Sequence, residues 1–213
     1  MKVTIGQTSD VSPAASELAR MHCTCMPSSL VSRLGVSNAE AVYRYCARSK
    51  LEVVFAANAQ DTVVGGAWLS LAPSSLSRRL LFCTPLVPKL FARPNLALEW
   101  IRQGYRDARS RESRRTIKGY PGVIAIFVDA SHRGRGVGAQ LLLQMESFLR
   151  GRNVTHYVLR TEDSPENRAV AFYQREGFEG FGRHQQHGTW HRDLIKAIEP
   201  TNAEQVPPAE QGP

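Results

Sequence analysis

The run Val123-Ile124-Ala125-Ile126-Phe127-Val128, continued by Asp129-Ala130-Ser131-His132-Arg133-Gly134-Arg135-Gly136-Val137-Gly138, decides the fold. An unbroken apolar, largely β-branched run reads as a strand covered on both faces. After it, Val137, Leu141, Met145, Phe148 and Leu149 recur at helical spacing to about Arg150, so an amphipathic helix follows the turn. Glycines in such a turn let the backbone approach a ligand closely and reach conformations that other residues resist. The N–H groups at the helix start, with the helix dipole behind them, favour a phosphate or pyrophosphate. Arg133 and Arg135 add positive charge. Two other phosphate motifs are excluded by inspection. No G-x4-G-K-[ST] occurs, and the glycines at 134, 136 and 138 do not follow the dinucleotide-binding order.

Working outward, Thr155 to Thr161 reads as a strand. Ser164-Pro165 supplies an N-cap and first-turn proline for a helix to about Glu176, which Gly177 closes. Glu179 to Gln186 and Thr189 to Ile198 form a last hairpin turning at His187-Gly188. Upstream, Lys2 to Gly6 is a first strand, and Pro13 to Met26 a helix capped by Ser12. A second helix opens at Ser37 or Asn38 and runs to Arg48. Strands Leu51–Ala57 and Thr62–Leu71 flank a turn at Asn58-Ala59-Gln60-Asp61. This order predicts a mixed α/β sandwich.

The length of 213 residues suits one domain over 1–198, with a Pro-, Glu- and Gln-rich tail over 199–213 expected to be disordered. Residues 73–118, punctuated by Pro73, Pro85, Pro88 and Pro94 and helical over about Leu96 to Arg111, read as an insertion. Between Arg78 and Lys118 eleven Lys/Arg face only Glu99, Asp107 and Glu112, which equals the net charge of +8 of the whole chain. Such local charge suggests an anionic partner or a solvated arginine-rich face. No apolar run approaches the roughly 20 residues that span a bilayer, and no secretory signal opens the chain, so a cytoplasmic location is expected. Cys23, Cys25, Cys46 and Cys83 lack metal-site spacing and read as incidental thiols.

Arg133-x-x-Gly136-x-Gly138 resembles the signature by which GNAT acetyltransferases bind the acyl-CoA pyrophosphate. Asn167, Phe172-Tyr173 and Glu176-Gly177-Phe178 resemble that family's second signature, one strand and one helix later. The close match covers about Gly122 to Gly182. The segment from Pro27 to Gly35 resembles a GNAT subset associated with bacterial surface-sugar biosynthesis. The resemblance implies a central, mostly antiparallel sheet of about seven strands flanked by helices, with acetyl-CoA as co-substrate. It implies that Phe127 and Val128 pair their backbone with the pantetheine arm across a splayed strand pair. The main chain of Arg133, Gly134, Arg135, Gly136, Val137 and Gly138 would hold the pyrophosphate, and Asn167 would reach the CoA arm or else cap a helix.

Tyr173 is the expected catalytic donor, because the leaving sulfur gains negative charge when an amine attacks the thioester, with a core aromatic packed on its helix as the other reading. A phenol near pKa 10 facing a thiol near 8.5 makes full proton transfer uphill by about 2 kcal/mol, so hydrogen bonding suffices. The attacking amine must lose a proton. The strand Val123–Val128 holds no carboxylate, which leaves Glu162, and beside it Asp163, as the nearest acidic candidates for the base. His184, His187 and His191 lie on a strand hairpin, where a period of two argues against a metal site, so they read as surface or substrate-loop histidines and no metal is expected. The acceptor reads as an amine of a small, anionic molecule such as an amino sugar. A protein or peptide amine is the alternative. A non-catalytic acyl-CoA- or nucleic-acid-binding module is the reading from another class, disfavoured by the absence of RNA-binding aromatics. The apolar pieces Leu80–Phe82 and Leu86–Phe91 leave docking on a membrane or as a homodimer open.

Overall fold

The computed structural model describes residues 3–7, 13–83, 119–186 and 189–199, with Asn95 and Leu98 besides. In chain order these form β1 (Val3–Gln7), α1 (Pro13–Cys25), α2 (Leu30–Arg33), α3 (Val36–Arg48), β2 (Glu52–Ala59), β3 (Thr62–Ser70), α4 (Leu76–Cys83) and β4 (Gly122–Val128). Then come α5 (Val137–Arg150), β5 (His156–Glu162), α6 (Ala169–Arg175), β6 (Glu179–Gln186) and β7 (Thr189–Ala197). The strands make one seven-stranded sheet in the order β1-β2-β3-β4-β5-β7-β6. Every neighbouring pair is antiparallel except β4 and β5. This is the mixed sandwich expected.

Two apolar layers cover the sheet, because strands β2 and β3 are buried on both faces. Val54, Ala56 and Trp68 meet α1 and α3 through Leu18, Ala39 and Tyr43, while Val53, Phe55 and Leu69 meet α5 through Leu141, Met145 and Leu149. At about 1.5–3 kcal/mol per buried large side chain, those three residues hold α5 more firmly than helix propensity could. The buried Glu146 fixes its position, accepting hydrogen bonds from the Tyr157 hydroxyl (2.7 Å) and Lys196 Nζ (2.6 Å).

Several boundaries differ from the sequence expectation. The β2–β3 turn is confined to Gln60-Asp61, both at positive φ (49° and 63°), and Asn58 and Ala59 continue the strand. The short helix α2 was not anticipated, and α3 begins at Val36, behind Gly35 at φ 95°. The last helix starts at Ala169 rather than after Ser164-Pro165. The Asn167 side chain donates back to the Glu162 carbonyl (2.6 Å) and Thr161 Oγ1 (3.1 Å) and accepts from the Ala169 N–H (3.0 Å), which holds the chain in a turn until then. Of the insertion, α4 packs Leu76 and Leu80 into the α1/α3 layer, and its Arg79 pairs with the buried Glu52, which also accepts from Trp68 Nε1 (2.8 Å). Of the predicted helix Leu96–Arg111 only Leu98 is described, and it is helical; the cap Ser12, the turn His187-Gly188 and residues 200–213 of the tail lie outside the described residues. Among the described residues no helix is long and apolar enough to cross a membrane.

One buried group joins α1, α2, α3 and β4. His22 places Nδ1 2.8 Å from the Tyr43 hydroxyl and Nε2 2.8 Å from Ser29 Oγ, with its ring edge on Phe127. Burial lowers its pKa from 6.5 to about 4. The unfolded chain therefore binds this proton more readily, so stability is full above about pH 6.5 and falls as the pH drops toward 4. The whole span is worth about 3 kcal/mol. In urea unfolding between pH 7 and 4.5, wild type is expected to lose about 2 kcal/mol more stability than His22→Gln. Equal losses would show that His22 does not titrate with folding.

Candidate active site

β4 and β5 pair only at Gly122↔Val158 and Val123↔Leu159. On its other edge β4 follows β3 to Val128, but the register there shifts: Trp68 faces Ala125 and Leu69 faces Val123, leaving Ile124 as a bulged extra residue. A bulge bends the strand that carries it. It sits where β4 leaves β5, so beyond it the β5-facing backbone of β4 has no strand partner among the described residues.

The alternation of peptide groups decides which residues face that gap. The Asp129 N–H donates to Val64 O (2.9 Å), which turns Phe127 toward β3 as well. Val128 and Ile126 therefore present their N–H and C=O to the cleft. The expected Phe127 contributes its side chain instead, buried against His22. The Val128 carbonyl accepts from Arg133 Nε (3.1 Å) and from the Cys25 thiol (3.7 Å).

After β4 the chain makes two helical starts of opposite character. Asp129 caps a 3-10 turn at Ala130–His132 with its own carboxylate, which accepts from the Ser131 N–H at 2.9 Å. Gly136, at φ 78°, caps α5 with no side chain at all, and Gly134 is at φ 74°. The first N–H groups of α5 thus keep no capping acceptor among the described residues, and the exposed Arg133 and Arg135 lie just ahead of them in the chain. At Gly134 and Gly136 the left-handed backbone is what requires glycine, and a Cβ would meet open space. Gly138 is glycine for another reason: a Cβ there would lie 3.2 Å from the Phe172 ring. The two sequence signatures therefore touch.

Tyr173 is 6% exposed, ringed by Phe172 (5.1 Å) and Phe178 (5.4 Å). Its hydroxyl makes no hydrogen bond among the described residues. Burial pushes its pKa well above the ordinary phenol range, so it stays protonated. Glu162 ends β5 exposed, and Asp163 is held between Arg183 (2.7 Å) and Arg192 (3.0 Å), which takes it out of the contest for a free base. Asn167 spends its side chain on the bonds that shape the entry to α6. Sequence reading passed over Asp193, fully buried, which accepts from Arg160 Nε (2.8 Å) and lies 3.2 Å from His184 Nδ1. Strand register alone brings these three together. Among the described residues no group of three His, Cys, Asp or Glu is placed to hold a metal.

An unpaired strand edge running into a basic, uncapped helix start suits a ligand with an amide-bearing arm and a pyrophosphate, which puts the protein in the class of acyl-CoA-dependent transferases. The acetyltransferase (GNAT) family model matches residues 33–178, and the chain belongs to that family. It is accordingly an acetyltransferase with acetyl-CoA as co-substrate. Solved structures of similar fold include a GNAT-family protein from Desulfovibrio desulfuricans (TM-score 0.62, 13% identity, covering 93% of this chain and 100% of that one). The ribosomal-protein-alanine N-acetyltransferase of Escherichia coli is similar over 95% of this chain and 98% of its own (TM-score 0.59, 12% identity). An aminoglycoside 6′-N-acetyltransferase complexed with coenzyme A matches 92% of this chain and 98% of its own (TM-score 0.60, 14% identity). At these identities the likeness is one of fold. Among curated proteins none matches.

Gly136→Val forces a β-branched residue into the left-handed region, at a penalty of roughly 1–3 kcal/mol, and disturbs the N–H array at the start of α5. Calorimetry is expected to show acetyl-CoA affinity reduced tenfold or more in a folded variant. Unchanged affinity would remove the pyrophosphate from this turn.

Proposed function

We propose that the protein transfers the acetyl group of acetyl-CoA to the primary amine of a small, anionic molecule such as an amino sugar. The observation that carries the donor half is the parting of β4 from β5 beside the uncapped start of α5. In this reading the Ile126 and Val128 peptide groups hold the pantetheine arm, and the main chain of Arg133 to Gly138 holds the pyrophosphate. Arg133 then leaves the Val128 carbonyl to the ligand and turns its charge to the phosphates. Asn167 acts by fixing the entry to α6, and so the position of Tyr173. Burial keeps the Tyr173 hydroxyl protonated and so available as a hydrogen-bond donor to the leaving sulfur, while full transfer to a thiolate is further uphill than for an ordinary phenol.

The acceptor half rests on charge. The basic insertion starts at α4, anchored by Arg79 on Glu52 within the α1/α3 layer, and its eleven cations against three anions favour an anionic acceptor.

Tyr173→Phe is expected to lower kcat by about 10²-fold with acetyl-CoA affinity unchanged, because the lost bond belongs to the departing sulfur. A wild-type rate would make Tyr173 a packing residue. For the acceptor, turnover of glucosamine 6-phosphate, glucosamine and a peptide with a free N-terminus is to be compared. The phosphorylated sugar should be preferred, with a KM that rises with ionic strength and rises further in Arg102→Gln/Arg106→Gln/Arg109→Gln. Preference for the peptide, or a salt-independent KM, would overturn the anionic small-molecule reading.

A further inference from the structure

The base that deprotonates the acceptor is missing from β4, and another face of the sheet supplies a candidate. Tyr157 and Leu159 of β5 and Leu194 of β7 pack with α5. Arg160, Glu162, His191 and Asp193, which alternate with them, therefore stand on the opposite face. Strand register sets Glu162 beside His191 and His191 beside His184. Arg160 and Glu162 belong to the part of β5 beyond Leu159, where β4 has turned away. This polar face thus borders the open cleft on the side away from α5 and α6.

The chemistry of His191 is set by one hydrogen bond. Its Nδ1 lies 3.2 Å from the Thr189 carbonyl oxygen, and a carbonyl can only accept, so Nδ1 carries the proton and Nε2 the lone pair. The ring is partly exposed, and Nε2 has no partner among the described residues. Behind it His184 stacks in parallel, 5.7 Å away with 18° between the planes. His184 in turn lies against Asp193, whose charge Arg160 shares. Burial, and next Arg160, lower the pKa of His184 against the opposing pull of Asp193, which favours the neutral form of the stacked partner. A proton arriving on His191 meets Glu162 in register and Asp193 two residues along as counter-charges. Arg183, Arg192 and Asp163 are occupied with one another.

We propose that His191 removes the proton from the acceptor ammonium, a role that rests on the amine-transfer reading above. Nε2 takes one N–H proton, and the freed lone pair attacks the thioester carbon. The C–S bond breaks with its electrons to sulfur, the second N–H proton passes to sulfur to give CoA thiol, and the imidazolium returns its proton to water. An imidazole, nearer in ordinary pKa to an amine than a carboxylate is, is the better base at neutrality.

The test uses the amine turned over best among glucosamine 6-phosphate, glucosamine and the peptide. His191→Gln is expected to lower kcat/KM at pH 7 by about 10²-fold, with acetyl-CoA affinity unchanged. The deficit should shrink as the pH approaches the pKa of the amine, because a neutral amine needs no base. Added imidazole should restore part of the activity of His191→Ala. A deficit equal at every pH without imidazole rescue, a wild-type rate, or the same pH-dependent loss appearing in Glu162→Gln instead would overturn the assignment. Wild type inactive toward all three amines while still binding acetyl-CoA would overturn the acceptor reading, and this one with it.

Discussion

Two residue pairs of parallel ladder, Gly122 with Val158 and Val123 with Leu159, are all that join the two halves of the sheet. Everything proposed for this protein depends on their stopping there. Each peptide group left unpaired in a buried setting costs about 1–3 kcal/mol, so an open edge in mid-sheet persists only if the flanks are held apart. β4 is held on one side by its full pairing with β3 and by Phe127 in the α1/α3 layer. β5 is held on the other side by β7 along its whole length and by Tyr157 on Glu146. A ligand arm with its own amide groups can offset the exposed polar groups of β4. A side chain could not do so without filling the cleft.

The parts of this design carried by local chemistry were legible in the sequence. Positive-φ glycines at 134 and 136, the helix after them, Gly177 at φ 86° closing α6 and the alternating strands are properties of neighbouring residues. What escaped depends on which elements meet. Nothing near Gly138 in the chain says that Phe172 will lie across it. Nothing in the apolar run of β4 says which peptides turn toward β3, because that parity is set by the bulge at Ile124. The start of α6 was misplaced for a related reason. Ser164-Pro165 is a sound helix start by local rules, and a carboxamide reaching back to β5 overrides it.

The buried polar residues follow the same division. Glu52, Glu146 and Asp193 are each buried, and each is met by an arginine or lysine from another element: Arg79, Lys196 and Arg160. Removing one partner of such a pair typically costs 3–5 kcal/mol, because the other charge is left in the core. Their joint effect here is positional. Glu52 seats the start of the insertion, Glu146 seats the helix behind the anion-receptive turn, and Asp193 seats the β5–β7–β6 face.

In the reading proposed above, that arrangement assigns the two protons of the reaction to different groups. Amide formation removes two protons from an ammonium and delivers one to sulfur; in that reading, His191 takes the first and the second passes to a sulfur that accepts a hydrogen bond from Tyr173. Tyr173, buried between Phe172 and Phe178 on the α5/α6 side, is held in its protonated form, so it can only donate. His191, partly exposed on the other face with Nδ1 engaged by Thr189, presents a lone pair, so it can only accept until it is charged. The gap between β4 and β5 is where a thioester could meet both.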